Sequence, residues 1–97
     1  MDGTGITEKV IEEIIALAKK YDIKKIILFG SRARGDYHRA SDIDLAVYGG
    51  NVDMFALDVE EETSTLLMYD VIDMSGQLEA EFLKSIDTEG VLLYEKV

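Results

Sequence analysis

Two aspartates one residue apart, Asp42 and Asp44, lie in the run SDIDLAV. In a strand, residues two apart point to one face. Both carboxylates then project together, while Ile43, Leu45 and Val47 project to an opposite, uniformly apolar face. Two same-face carboxylates with Cβ atoms ~7 Å apart along a strand can converge on a hard cation. Oxygen ligands suit Mg²⁺, which takes one or two protein carboxylates together with substrate phosphates. Alone, the D-x-D pattern is weak. Asp42 can equally be a strand-start or turn residue, with Asp44 facing water.

Context on both sides adds to the pair. Upstream, the apolar run KIILF closes on Gly30-Ser31. Glycine permits close backbone approach, and a helix N-terminus with a serine hydroxyl can cradle phosphate. All three arginines, Arg32, Arg34 and Arg39, fall within the eight residues 32–39, with the one histidine, His38, among them. The planar guanidinium fork matches phosphate oxygens, although a solvated loop could cluster arginines by chance. Downstream, Asp70 sits mid-run in LLMYDVIDM and shares a face with Met68 and Ile72. A carboxylate among apolar neighbours is costly unless paired or bound to a cation. If Asp70 joins Asp42 and Asp44, each like-charged pair costs about 3 kcal/mol at ~5 Å and an effective dielectric of ~20. Such a cluster calls for a metal, or for a raised carboxylate pKa without one. Asp73, near the end of the run, caps or faces water.

Several other chemistries do not fit. Gly30 and Gly35 have the glycine spacing of a P-loop, but Asp36-Tyr37 stand where Lys-Ser/Thr is required. The G-x-S-x-G nucleophile elbow is absent. One histidine and no cysteine disfavour a Ser–His hydrolase and exclude disulfides and thiolate metal sites. His38 reads as a loop residue.

The elements that must hold these residues follow from periodicity. A first helix is expected over about Thr7–Tyr21. Thr7 caps it, Glu8 suits its positive end, and Val10, Ile11, Ile14, Leu17, Ala18 and Tyr21 form one apolar face. Lys25–Phe29 reads as a buried strand, Ser31–Gly35 as a short helical turn and Asp42–Tyr48 as a second strand. Asn51 caps a helix running to about Leu66, Leu67–Met74 is a third strand, and Ser75 or Gly76 opens a last helix to about Ile86. Gly90–Tyr94 closes the chain as a short strand. The order α-β-α-β-α-β-α-β argues for an α/β (α+β) sheet covered by helices.

Length and charge bound the rest. The 97 residues fit one domain, 1–97. A net charge of -10 disfavours broad nucleic-acid binding, which relies on Lys and Arg against phosphates. No run approaches the ~20 apolar residues of a membrane span. Met1–Gly5 lacks the basic and apolar regions of a signal peptide. A cytoplasmic protein is therefore the default expectation.

At the residues singled out, the chain resembles the nucleotidyltransferase superfamily related to DNA polymerase β. It is most similar to the minimal nucleotidyltransferases of prokaryotic toxin–antitoxin pairs. The shared pattern is an apolar strand closing on Gly-Ser, a spacer, Asp-x-Asp, and a later strand aspartate. Here these are Phe29-Gly30-Ser31, ten residues of spacer, Asp42-Ile43-Asp44, and Asp70. The string GSRARG…SDIDLAV is far more specific than D-x-D, and the element order matches over nearly the whole chain.

The resemblance implies the nucleotidyltransferase fold, a small mixed β-sheet with helices packed against it. It implies Mg²⁺-dependent transfer of a nucleoside monophosphate, AMP from ATP, to a hydroxyl. Gly30 and Ser31 would hold the triphosphate. Asp42 and Asp44 would hold two Mg²⁺ ions, and Asp70 would complete the metal that activates the acceptor and could take its proton. Arg32 and Arg34 would offset charge on the departing pyrophosphate. Larger relatives carry an extra acceptor-binding domain, for which 97 residues leave no room. The implied partner is a small helical HEPN protein, a toxin neutralised by AMP transfer to one of its tyrosines, in a hetero-oligomer. An acidic surface would suit a basic partner, although acidity also serves solubility. Two alternatives stand beside this reading: an antitoxin that masks its partner by stoichiometric binding, and transfer to a small molecule such as an aminoglycoside.

Overall fold

Thr7 caps the first helix through its hydroxyl, which accepts from the Val10 amide in the computed structural model. The structure describes residues 3–97, so Met1 and Asp2 of the stretch read for a leader lie outside the described residues. Helix α1 (Glu8–Lys20) buries Val10, Ile14, Leu17 and Ala18, the expected apolar stripe. Strand β1 (Lys25–Phe29) runs into the short helix α2 (Ser31–Arg34), and β2 (Ile43–Tyr48) follows the arginine loop. Asn51 caps α3 (Val52–Glu62) by accepting from the Met54 amide. Then come β3 (Tyr69–Asp73), α4 (Ala80–Glu89) and β4 (Val91–Glu95).

The four strands form one mixed sheet in the order β3-β2-β1-β4. β1 is antiparallel to both β2 and β4, whereas β2 and β3 are parallel. Parallel neighbours need a crossover, and α3 supplies it. Ile26 and Leu28 of β1, with Ile43, Leu45 and Val47 of β2, are all 0% exposed. They face α1 and α3, whose Ile14, Phe55 and Val59 join the same core. Burying each such side chain stabilises the fold by ~1.5–3 kcal/mol.

The second sheet face is built differently. Register places Phe29, Asp44 and Asp70 in one row across three strands, and Ile27, Ala46 and Ile72 in the next. Helix α4 covers the β1 side of this face. Its Phe82 meets Phe29 edge to face, with ring centroids 5.3 Å apart, and its Ile86 is buried. The β3 side of the row stays open, and Asp70 is exposed there.

Several element boundaries differ from expectation: β2 begins at Ile43, which leaves Asp42 before the strand, β4 is shifted by one residue and α4 runs on to Glu89. Three further differences each follow a contact distant in sequence or a local turn. Helix α3 stops at Glu62, four residues short of Leu66. The Thr63 hydroxyl turns back to the Val59 carbonyl at 2.6 Å and meets the Tyr69 hydroxyl at 2.9 Å. Ser64 is then captured by the Glu13 carboxylate through its amide and its hydroxyl, both at 2.8 Å. Strand β3 begins at Tyr69 because its partner Ile43 is where β2 begins. Helix α4 opens at Ala80, after Asp73 has folded Ser75 into a turn by accepting from its amide and hydroxyl. Among the described residues no helix is long and apolar enough to cross a membrane.

Candidate active site

The pleat of β2 separates two populations. Ile43, Leu45 and Val47 point into the core, which leaves Asp44 on the opposite face. Asp70 of β3 is its register partner, and parallel strands lie ~4.8 Å apart. Asp42 is exposed, one residue before β2. Burial first, then the Asp70 and Asp42 carboxylates, push the Asp44 carboxyl above its ordinary range, while Arg34 and Arg32 pull it back. Both neighbouring carboxylates therefore act on Asp44.

Asp70 was expected among apolar neighbours. It is exposed instead, because α4 stops short of β3 and Met68 beside it is 62% exposed. Among the described residues, no group of three or more Asp, Glu or His side chains is closed around a metal-sized point. The donor set is nonetheless all carboxylate oxygen, which fits Mg²⁺ and not a soft metal.

Gly30 sits directly beneath Asp44. Its backbone has φ 75° and ψ -159°, a region that only glycine occupies readily. A Cβ there would stand 3.0 Å from the Asp44 Cγ and closer still to its Oδ2. The missing side chain is what lets the carboxylate lie against the β1–α2 turn. Ser31 follows as the first residue of α2, half-buried.

The two arginines of α2 have separate situations. Arg32 was expected to meet phosphate. It is only 2% exposed, and its guanidinium donates to the carbonyls of Ser41 at 3.0 Å, Thr4 at 2.9 Å and Arg39 at 3.3 Å. It also lies over the Tyr37 ring, 4.8 Å from the centroid. Arg32 thus ties the N-terminal segment and the 37–41 loop to α2, and holds in place the loop that delivers Asp42. No sequence signal distinguishes it from its neighbours, because its partners are backbone carbonyls up to 28 residues away. Arg34 is exposed and pairs with Asp36 and Glu89, each at 3.4 Å. Exposed pairs of this kind are weak, so they hold Arg34 only loosely. His38 lies in the loop, where its amide donates to the Ser41 hydroxyl at 2.7 Å.

Two concavities open along the sheet, and Asp42, Asp44 and Asp70 line neither. The larger, 890 Å³, lies at the N-terminal ends of β2 and β3 and is lined by residues that include Tyr37, Arg39, Leu66 and Leu67. The smaller, 370 Å³, lies between β3 and the start of α4. Neither was visible in the sequence, since each joins segments about 25 residues or less than ten residues apart through the sheet and not through a motif.

Comparison with known proteins bears on this geometry. The family model described as "Polymerase beta, Nucleotidyltransferase" matches residues 12–97. A Methanocaldococcus jannaschii protein named "Putative protein adenylyltransferase" is 42% identical over 100 residues, which covers 90% of this chain and 97% of the relative. Among solved structures, a toxin–antitoxin with AMP-PNP superposes with a TM-score of 0.71 at 24% identity, over 89% of this chain and 73% of the other. The toxin–antitoxin MntA–HpeT, in a variant with two aspartates two positions apart changed to glutamate, gives a TM-score of 0.68 at 22% identity, with the same coverages of 89% and 73%. At these identities the two structures establish the shared fold.

Proposed function

The chain belongs to the polymerase β nucleotidyltransferase family, and from that premise we propose that it transfers AMP from ATP to a hydroxyl of a protein partner. The observation that carries the reading is the row in which Asp44 and Asp70 are register partners, with Asp42 one residue before the strand. The name of the 42%-identical relative supports AMP and a protein acceptor. The toxin–antitoxin assemblies among the fold neighbours support a toxin partner, of the helical HEPN type that the sequence resemblance implies.

Asp42, Asp44 and Asp70 would hold Mg²⁺, which when bound supplies a clamp on the attacking and leaving oxygens of an in-line displacement. The chain's own residues do the remaining work. Asp44 is braced against Gly30, so its carboxylate cannot retreat toward the turn. Arg34 offsets charge on the triphosphate, and Arg32 keeps the Asp42 loop in register. Asp70, exposed on the edge strand, takes the proton of the incoming hydroxyl. The acceptor oxygen bonds to the α-phosphorus, the bond to the β-phosphate bridging oxygen breaks, and pyrophosphate leaves. Leu66 and Met68 are 102% and 62% exposed just before Asp70, which gives a protein acceptor an apolar foothold beside that carboxylate.

The test is incubation with α-labelled ATP, Mg²⁺ and the folded product of the neighbouring gene. Label should pass to a partner tyrosine and should fail to pass with Asp44→Asn. An Asp44→Asn protein that still silences the partner fully would replace catalysis with stoichiometric binding as the biological output.

A further inference from the structure

We propose that the cleft between β3 and the start of α4 receives the nucleobase of the transferred nucleotide. The inference rests on the reading that Asp42, Asp44 and Asp70 hold the triphosphate end. Three observations place the base there.

The first is position. Ile72, in the cleft wall, is two residues beyond Asp70 in β3 and therefore on the same sheet face. One pleat repeat, ~7 Å, separates them. A ribose and its 5′ carbon span a gap of that kind between an α-phosphate and a base. Phe82, on the opposite wall, packs on Phe29, which is the register partner of Asp44. The cleft is thus joined to the carboxylate row at both walls.

The second is shape and lining. The cleft has 370 Å³ and is walled by Ile72, Leu78 and Phe82. Apolar walls with a few polar groups at the rim are what a planar heterocycle requires. The Phe29–Phe82 pair is edge to face, with an interplanar angle of 88°. Such a pair occupies at most one face of the Phe82 ring.

The third is edge chemistry. Gln77 and Glu79 are exposed at the rim. The Gln77 amide can donate and accept, and the Glu79 carboxylate accepts. Together they can meet the amino and ring-nitrogen edge of a purine while the apolar walls take its faces. The larger concavity, with Arg39 and the fully exposed Leu66, suits phosphate and a protein partner better than a base.

The experiment separates base from triphosphate. Kd values are measured with Mg²⁺ for the slowly hydrolysed analogue AMP-PNP and for inorganic tripolyphosphate, on wild type, Phe82→Leu and Gln77→Ala. Melting curves check folding, and the exposed Gln77 gives a variant with little risk to the core. Phe82→Leu should weaken AMP-PNP binding roughly tenfold or more, the scale of losing base stacking. Gln77→Ala should weaken it less, and neither should change tripolyphosphate binding. Unchanged AMP-PNP binding in both folded variants, or an equal loss for both ligands, would overturn the cleft assignment. So would wild type binding the two ligands equally tightly, which leaves the triphosphate site standing without a base site. Failure of wild type to bind either ligand would instead overturn the triphosphate reading beneath it.

Discussion

Gly30→Ala isolates the contact between the β1–α2 turn and Asp44. The backbone at Gly30, φ 75° and ψ -159°, costs a residue with a Cβ ~1–3 kcal/mol. The new methyl would also stand 3.0 Å from the Asp44 Cγ, so the carboxylate must give way. For a domain near this size each 1 kcal/mol lowers Tm by ~4–8 °C, so a fall of about 10 °C is expected. A displacement of Asp44 by ~1 Å should reduce transfer by about 100-fold, the usual penalty for misplacing a reacting group. Gly35→Ala is the matched control. Gly35 also has positive φ, 92°, but nothing lies within 4 Å of where its Cβ would be. It should lose stability from backbone strain and keep most of its activity. Melting curves and initial transfer rates, taken side by side, read both effects. Gly30→Ala within about twofold of wild type in rate, or Gly35→Ala equally inactive, would refute the reasoning.

Four further outcomes follow from the same geometry. Arg32→Met should destabilise by about 2–4 kcal/mol in urea unfolding, because three loop carbonyls lose their donor; Arg32→Lys should not rescue it, since an ammonium cannot span the same three acceptors. Arg34→Ala, which loses only exposed ion pairs, should cost less than about 1 kcal/mol and still slow transfer. Asp44→Asn should stabilise the metal-free protein by about 1 kcal/mol, the size of relieving one repulsion at ~5 Å near water. The sign of its pH dependence is fixed: burial, then Asp70 and Asp42, raise the folded-state Asp44 pKa, so the native protein binds that proton more tightly than the unfolded chain. The contribution is present at low pH and is lost as pH rises through the raised value. Asp22, Asp73 and Glu13 are held low by their hydrogen bonds and act in the opposite sense, so the readout is wild type minus Asp44→Asn across mildly acidic pH. Finally, millimolar Mg²⁺ should raise the wild-type Tm and leave Asp44→Asn nearly unmoved, as linkage requires for a native-state ligand.

Much of this site is legible in the sequence. The alternation in Ile43-Asp44-Leu45 told which side chains enter the core, because a pleat admits only two faces. Thr7 and Asn51 announced helix starts, because a cap acts on an amide three residues away. Lys25–Phe29 declared itself a strand by composition and by the glycine that ends it. These are local effects, and local effects are written in adjacent letters.

The tertiary structure decided the rest. It decided that Asp70 stands beside Asp44, since strand order and parallel register depend on how α3 returns the chain. It ended α3 early through Glu13 and Ser64, 51 residues apart. It withdrew Arg32 from solvent to bind carbonyls of Thr4, Arg39 and Ser41, and left Arg34 outside. Composition cannot separate two arginines in one turn, because what divides them is which backbone oxygens the folded chain brings within 3.3 Å.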